Sequence, residues 1–131
     1  MPSIPVGAQG RFELLVTDEH LANRFKDVLL PPVLATPVLI LILENAALNA
    51  LKPHLGPGFT ALGTRVDVQH LMATPPGRLI RGEATVIAVD GRRIEFHVNA
   101  RDGDEEIGRG THERMIIDAA RFREKLASKY R

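Results

Sequence analysis

The sequence predicts one α+β domain in which an antiparallel sheet wraps around a single long apolar helix, followed by a C-terminal helix. Two observations carry this prediction. Between Asp27 and Lys52 a long apolar stretch contains one charge, Glu44. From Ala61 onward, polar and apolar residues alternate in segments joined by short turns, which is the period-two pattern of β-strands. Strands grouped apart from the helices are typical of α+β domains.

Length and composition exclude several classes of protein. With 131 residues the chain has the length of one domain, so we expect residues 1–131 to form it. A net charge of +1 gives no support for a nucleic-acid surface. Zero cysteines exclude disulfides and thiolate zinc sites, and they suit a reducing compartment, which we expect to be the cytoplasm. The N-terminus lacks the basic and apolar segments of a signal peptide.

The apolar stretch predicts a helix from Thr36 to about Leu51. The Thr36 hydroxyl can cap the helix, and the proline that follows suits the first helical position. Residues 38–43 have no polar face, so we expect the rest of the domain to surround this helix. Its prolines and Glu44 argue against a membrane span, and we expect no membrane association.

The other elements follow from local signals. Asp-Gly pairs predict tight turns between strands, and residues that can cap a helix predict where helices begin. The predicted strands are Arg11–Val16, Ala61–His70, Leu79–Val89, Arg92–Ala100 and Ile107–Ile117, with a short helix from Thr17 to Phe25 and a C-terminal helix after Asp118. A sheet wrapped around one helix is the hotdog architecture. Hotdog domains usually pair as homodimers, which would cover the exposed remainder of an apolar helix.

Three residues are candidates for chemistry. Glu44 is a carboxylate in apolar surroundings, which costs free energy unless a partner satisfies it, so it is either a catalytic base or orienting group, or a structural partner of an arginine. His70 ends a strand on the face predicted for Thr64 and Val66, and it either reaches a cleft or packs in the core. Thr36 either caps the helix or stands where the helix start stabilises an oxyanion.

Spacing along the helix limits how these residues can meet. Thr36 and Glu44 are eight residues apart, or ~12 Å along an ideal helix. They cannot share a hydrogen bond if the helix is regular from its start. Either the helix starts later, or His70 or another chain bridges the two.

Two further residues have possible functional roles. Gly63 would let the backbone approach a ligand closely, although a turn explains it equally well. Arg114 shares a strand face with His112; solvent exposure is the simpler expectation, but Arg114 could pair with Glu44 or contact a phosphate. The segment T-H-E-R around them is not H-E-x-x-H, and we expect no metal site.

Five segments of the chain match a known family. They are A-T-P-V-L-I-L-I-L-E at 35–44, L-G-T-R-V-D-V-Q-H at 62–70, A-T-P-P-G at 73–77, V-D-G-R-R at 89–93 and D-E-E-I-G-R-G-T-H-E-R at 104–114. Their order and spacing resemble the fluoroacetyl-CoA-specific thioesterase family over roughly residues 10–125. The resemblance implies a hotdog dimer that hydrolyses acyl-CoA thioesters without a metal, with coenzyme A entering only as part of the substrate.

The resemblance also assigns roles. It places the catalytic residues of the family on Thr36, Glu44 and His70. The glycine whose backbone faces the acyl group falls on Gly63, and an arginine at the substrate falls on Arg114.

The acyl pocket is where this chain departs from the family. Leu29, Leu30 and Leu34 stand where the fluoroacetyl-selective enzyme has aromatic residues, and Asn45 follows the glutamate. We therefore expect Leu30 and Leu34 to form an aliphatic pocket that accepts another short or medium acyl chain. The alternatives are an enoyl-CoA hydratase-like hotdog enzyme and a module that binds acyl-CoA without turning it over.

Overall fold

A five-stranded antiparallel sheet curls around one long helix in the computed structural model, which describes residues 1–131. The strands are β1 (Gln9–Leu15), β2 (Phe59–His70), β3 (Leu79–Asp90), β4 (Arg93–Asp102) and β5 (Glu105–Asp118). The helices are α1 (Ala22–Phe25), α2 (Thr36–Leu51) and α3 (Ala119–Lys129), with 3-10 turns at Asp18–His20 and Lys52–His54. The predicted order of elements and the bounds of α2 are confirmed, whereas the predicted helix at 17–25 is divided into a 3-10 turn and α1.

The strands lie in the order β1-β3-β4-β5-β2, so β1 and β2 form the two edges. Tight turns join β3 to β4 and β4 to β5. Gly91 and Gly103 occupy them with φ of 60° each, the left-handed conformation that favours glycine. These are the two Asp-Gly pairs from which the sequence predicted hairpins.

Helix α2 packs its most apolar side against the sheet. Leu39, Ile42 and Leu43 are buried in the core, and the chain of β1 passes so close to the helix that a Cβ at Gly10 would clash with its backbone. The opposite side of α2 is open, with Leu41 44% exposed. The expectation that the helix is enclosed is therefore wrong for a single chain, because one sheet covers only one side of a helix.

A β-bulge in β2 decides which residues of that strand face the helix. The register with β5 shifts between Gly63 and Arg65. Gly63 and His70 are seven residues apart, so a regular strand would point them to opposite faces. The bulge brings both to the helix side and turns Thr64 outward, where its hydroxyl bonds to Glu113. The prediction that Thr64 shares the face of His70 is therefore wrong.

Helix α3 begins as predicted, with the Asp118 side chain accepting a hydrogen bond from the backbone N–H of Arg121. None of its residues is buried. None of the helices combines the length and the hydropathy that crossing a membrane requires.

Candidate active site

A cleft of about 370 Å³ opens beside the start of α2, and we call it the Thr36 cleft. Its lining is mostly apolar and comprises Ala22, Lys26, Leu30, Pro31, Val33, Leu34, Thr36, His70, Leu71, Met72 and Ala73. Thr36 Oγ1 and His70 Nδ1 are 2.9 Å apart, at hydrogen-bond distance. Four of the residues predicted for the site therefore meet here: Thr36, His70, Leu30 and Leu34.

Thr36 does not cap the helix. Ala35 occupies the capping position, and the Thr36 hydroxyl bonds to His70 rather than to a backbone N–H of the first turn. Within that turn Pro37 has no N–H, and the N–H groups of Val38 and Leu39 both donate to the Ala35 carbonyl. The helix start thus offers fewer free donors than the sequence suggested, and the backbone N–H of Thr36 is the one that remains.

The surroundings of His70 favour its neutral form. Burial lowers the pKa of its imidazole from the ordinary value, and the backbone of Met72 partly offsets this effect. Nε2 is buried and has no hydrogen-bond partner within the chain. A neutral imidazole with its Nδ1 lone pair directed at Thr36 can accept the proton of the Thr36 hydroxyl.

Glu44 lies away from this cleft, in a group that we call the Glu44 cluster: Glu44, Gly63, His112 and Arg114. Arg114 Nη1 is 3.5 Å from Glu44 Oε2, and Arg114 Nη2 donates to the Ala61 carbonyl at 2.7 Å. The arginine is 7% exposed, whereas the glutamate side chain is 39% exposed. Burial lowers the pKa of the Arg114 guanidinium, and the Glu44 charge opposes that change. Arg114 pairs with Glu44, as one of the sequence alternatives held.

His112 is the residue of the cluster that sequence reasoning missed. It is 1% exposed and stacks on Phe96, so a solvated strand face is the wrong description of this segment. Its Nδ1 is 2.7 Å from the Arg65 carbonyl, which can only accept, so Nδ1 carries the proton. Nε2 is then free to accept from Arg114 Nη1 at 3.2 Å. The sequence did contain a signal for this role, because alternation along β5 places His112 on the same face as Arg114. A buried arginine needs hydrogen-bond acceptors nearby, and the imidazole is one of them.

Gly63 lies directly under the Glu44 carboxylate. A Cβ at this position would clash with Glu44 Oε2, and it would lie 3.3 Å from the His112 ring. The φ of Gly63 is not positive, so glycine is required here by space and not by backbone conformation. The group that lies close to the Gly63 backbone within this chain is the Glu44 carboxylate, and the close approach of a ligand there stays a prediction.

The two groups of residues are separated along α2. The helix is regular from Thr36, so the ~12 Å between Thr36 and Glu44 along its axis remains. On β2, Gly63 lies near the middle of the strand and His70 lies at its end, seven residues further on. The suggestion that the helix starts later is therefore wrong, and His70 does not bridge the gap within one chain. No three His, Asp or Glu side chains lie close enough together to hold a metal ion.

The curled antiparallel sheet around a central helix is the hotdog fold, and comparisons with known proteins identify the class as a hotdog-fold thioesterase. The family model described as fluoroacetyl-CoA-specific thioesterase matches residues 16–120. The fluoroacetyl-CoA thioesterase of Streptantibioticus cattleyicolor is 42% identical over 99 residues, which are 76% of this chain and 71% of that protein. The chain belongs to the fluoroacetyl-CoA-specific thioesterase family.

Solved structures agree with this assignment. A structure of the fluoroacetyl-CoA thioesterase FlK superposes with a TM-score of 0.88 at 34% identity, covering 97% of this chain and 98% of that one. A thioesterase superfamily member from Thermus thermophilus has the same TM-score at 29% identity, covering 99% and 98%. The hotdog fold and the assignment as a thioesterase, both expected from the sequence, are confirmed.

Proposed function

We propose that this protein hydrolyses an acyl-CoA thioester with a short or medium aliphatic acyl chain to the free acid and coenzyme A. The observation that carries the proposal is the 2.9 Å contact between Thr36 Oγ1 and His70 Nδ1 in an apolar cleft. A hydroxyl held by an imidazole, beside a space that accepts an apolar group, suits nucleophilic attack on a thioester carbonyl. Leu30 and Leu34 give this space aliphatic walls, which suit an alkyl chain.

In the proposed reaction His70 acts as the general base. Its Nδ1 takes the proton of the Thr36 hydroxyl while Oγ1 attacks the carbonyl carbon, and the backbone N–H of Thr36 faces the developing oxyanion. The carbon–sulfur bond then breaks, and the proton on His70 passes to the leaving thiolate. Water, deprotonated by a carboxylate or by His70, hydrolyses the acyl-enzyme and restores the threonine. Glu44 is the proposed carboxylate.

Glu44 can take part only if another chain supplies it, because ~12 Å separates it from Thr36 within one chain. We therefore propose a homodimer formed along β2. This strand is an edge of the sheet with twelve residues, and it exposes Leu62 and Val66. An antiparallel pairing of two β2 strands centred between Val66 and Asp67 would set Gly63 of one chain opposite His70 of the other. The partner's Glu44, held over its own Gly63, would then approach Thr36 and His70.

The activity is tested by following thiol release from a series of acyl-CoA esters with straight acyl chains of increasing length. We expect turnover that depends on His70, with the best substrates among the short and medium chains. Water addition to crotonyl-CoA without thiol release would instead support a hydratase. Thermal stabilisation by CoA esters with no thiol released would support a binding module. An acyl-CoA substrate would be met in the cytoplasm, which is the proposed location.

The shared site is tested by mixing two inactive variants, His70→Ala and Glu44→Ala, by co-expression with different tags. In a mixed dimer, one site combines the intact Thr36 and His70 of one chain with the intact Glu44 of the other. Half of the dimers are mixed and each holds one intact site of two, so we expect about a quarter of wild-type activity to return. Sites that are complete within one chain would give no recovery, which would reject the dimeric arrangement but leave the hydrolase activity standing.

A further inference from the structure

A second concave site lies at the junction of β5 and α3, and we call it the β5–α3 pocket. It encloses about 130 Å³ and is lined by Arg92, Ile117, Asp118, Arg121, Phe122 and Lys125. Three of these residues are cations and one is an acid. The acid, Asp118, already accepts a hydrogen bond as the cap of α3. The pocket therefore carries an excess of positive charge.

The three cations of the pocket lack the carboxylate partner that most arginines of this protein have. Eight arginines elsewhere have a carboxylate oxygen within 4.0 Å. Arg92, Arg121 and Lys125 have none at that distance. Like charges around one concavity repel one another unless an anion lies between them, so the arrangement suits an anionic ligand. Phe122, 40% exposed at the rim, adds a flat apolar surface suited to a heterocyclic base.

Within one chain, the β5–α3 pocket lies closer to the Glu44 cluster than to the Thr36 cleft. Arg114 precedes Asp118 by four residues on β5, which is about 13 Å along a strand. His70 pairs with Gly108, ten residues from Asp118, so the Thr36 cleft of the same chain lies about 33 Å away along the strand. In the proposed dimer, the pocket lies near the cleft of the other chain. A ligand that reaches both sites must be long, with a reactive end and an anionic end.

We propose that the β5–α3 pocket binds the phosphate groups of the coenzyme A nucleotide while the acyl end occupies the Thr36 cleft of the partner chain. This inference rests on the proposed function. Arginine binds phosphate through two parallel hydrogen bonds, and lysine acts as a point charge, so Arg92 and Arg121 supply geometry and Lys125 supplies attraction. The pocket makes the full CoA ester a better substrate than a truncated thioester, because it binds a part of the substrate that does not react.

The test compares an acyl-CoA ester with the N-acetylcysteamine ester of the same acyl group, which lacks the nucleotide. For the double variant Arg92→Gln/Arg121→Gln we expect KM for the CoA ester to rise about tenfold with kcat unchanged. The kinetics of the N-acetylcysteamine ester should not change. Added salt should raise KM for the CoA ester in the wild type and have less effect in the variant. Arg81→Gln, which removes an exposed arginine from β3, is the matched control and should behave as the wild type.

An equal loss toward both esters, or no change toward either, would overturn the proposal. The ester of dephospho-CoA separates the phosphates: a smaller effect of the double variant on that ester assigns the pocket to the 3′-phosphate, and an undiminished effect assigns it to the diphosphate. If the wild type hydrolyses neither ester, the proposed function fails. Calorimetric titration with coenzyme A itself then tests whether the β5–α3 pocket binds the nucleotide. The proposal requires that the wild type binds coenzyme A and that the double variant does not.

Discussion

The start and the middle of helix α2 hold their functional groups in different ways. At its start, Thr36 and His70 form one direct contact beside an open, largely apolar cleft. Two turns further, Glu44 lies over a glycine and faces a buried arginine that is itself held by Ala61 and His112. The first group resembles a nucleophile with its base, and the second a carboxylate held in a fixed place. The two groups do not meet within a single chain. Their different roles fit the proposal that each supplies one half of a site formed by two chains.

Removal of the imidazole at the helix start should have the largest effect. His70→Ala leaves Thr36 without a base, and we expect kcat to fall by about 10²–10⁴-fold, the usual contribution of a positioned general base. The measurement is steady-state thiol release with an acyl-CoA ester. His97→Ala removes an exposed histidine from β4 and should keep wild-type activity. Equal activity of both variants would show that His70 takes no part in the reaction.

A methyl group added at Gly63 should displace the Glu44 carboxylate without removing it. In Gly63→Ala the new Cβ clashes with Glu44 Oε2, so the carboxylate must move away from its position over β2. We expect activity to fall by about 10²-fold, since small displacements of a reacting group are costly. Gly56→Ala is the control, because a Cβ there has no atom within 4 Å and its φ is not positive. Unchanged activity in Gly63→Ala would mean that the Glu44 position over Gly63 is irrelevant to turnover.

The sequence predicted the start of the helix better than the Glu44 cluster. Thr36, His70 and the two leucines are signalled by a helix start, a strand end and an apolar run, which are local patterns. The Glu44 cluster depends on a β-bulge, on three strands in register and on a tautomer fixed by the Arg65 carbonyl. Without the bulge, alternation assigns Thr64 to the wrong face of the sheet. The polar residues on both sides of His112 likewise predict an exposed side chain, although His112 is buried. Such features arise from pairing between distant segments, which periodicity does not encode.

The hydrogen bond from Arg114 to His112 can be tested separately from the packing of β5. In His112→Gln the amide oxygen can occupy the position of Nε2 and accept from Arg114, whereas the shorter side chain in His112→Asn cannot reach it. We expect His112→Asn to lower kcat about tenfold and His112→Gln to retain most of it, because a lost hydrogen bond to a charged group costs about 1.5–3 kcal/mol. Thermal unfolding of both variants serves as the control for packing. Equal kcat in two variants of equal stability would show that His112 does not act through Arg114.

The smallest expected effect concerns pH, and it separates the two histidines. Burial lowers the pKa of His70 and of His112 below the ordinary value of 6.5. For His112, Arg114 adds to the lowering, while the Arg65 carbonyl and the charges of Glu44 and Glu113 oppose it. Below pH 6.5 the unfolded chain takes up protons that the folded chain does not yet bind, so the free energy of unfolding should fall as the pH is lowered from 7.5 to 5.5.

Each histidine should therefore contribute to the pH dependence of stability, but only His70 should set that of catalysis. Denaturant unfolding of His112→Asn across this range should show a flatter decline than the wild type, while its kcat/KM still falls with pH through a pKa below 6.5. The catalytic limb belongs to His70 because hydrolysis needs its neutral form as a base. A variant at position 112 that lost this pH dependence of kcat/KM, or that kept the full wild-type slope of stability, would contradict the assignment of His70 as a reacting group and His112 as a supporting one.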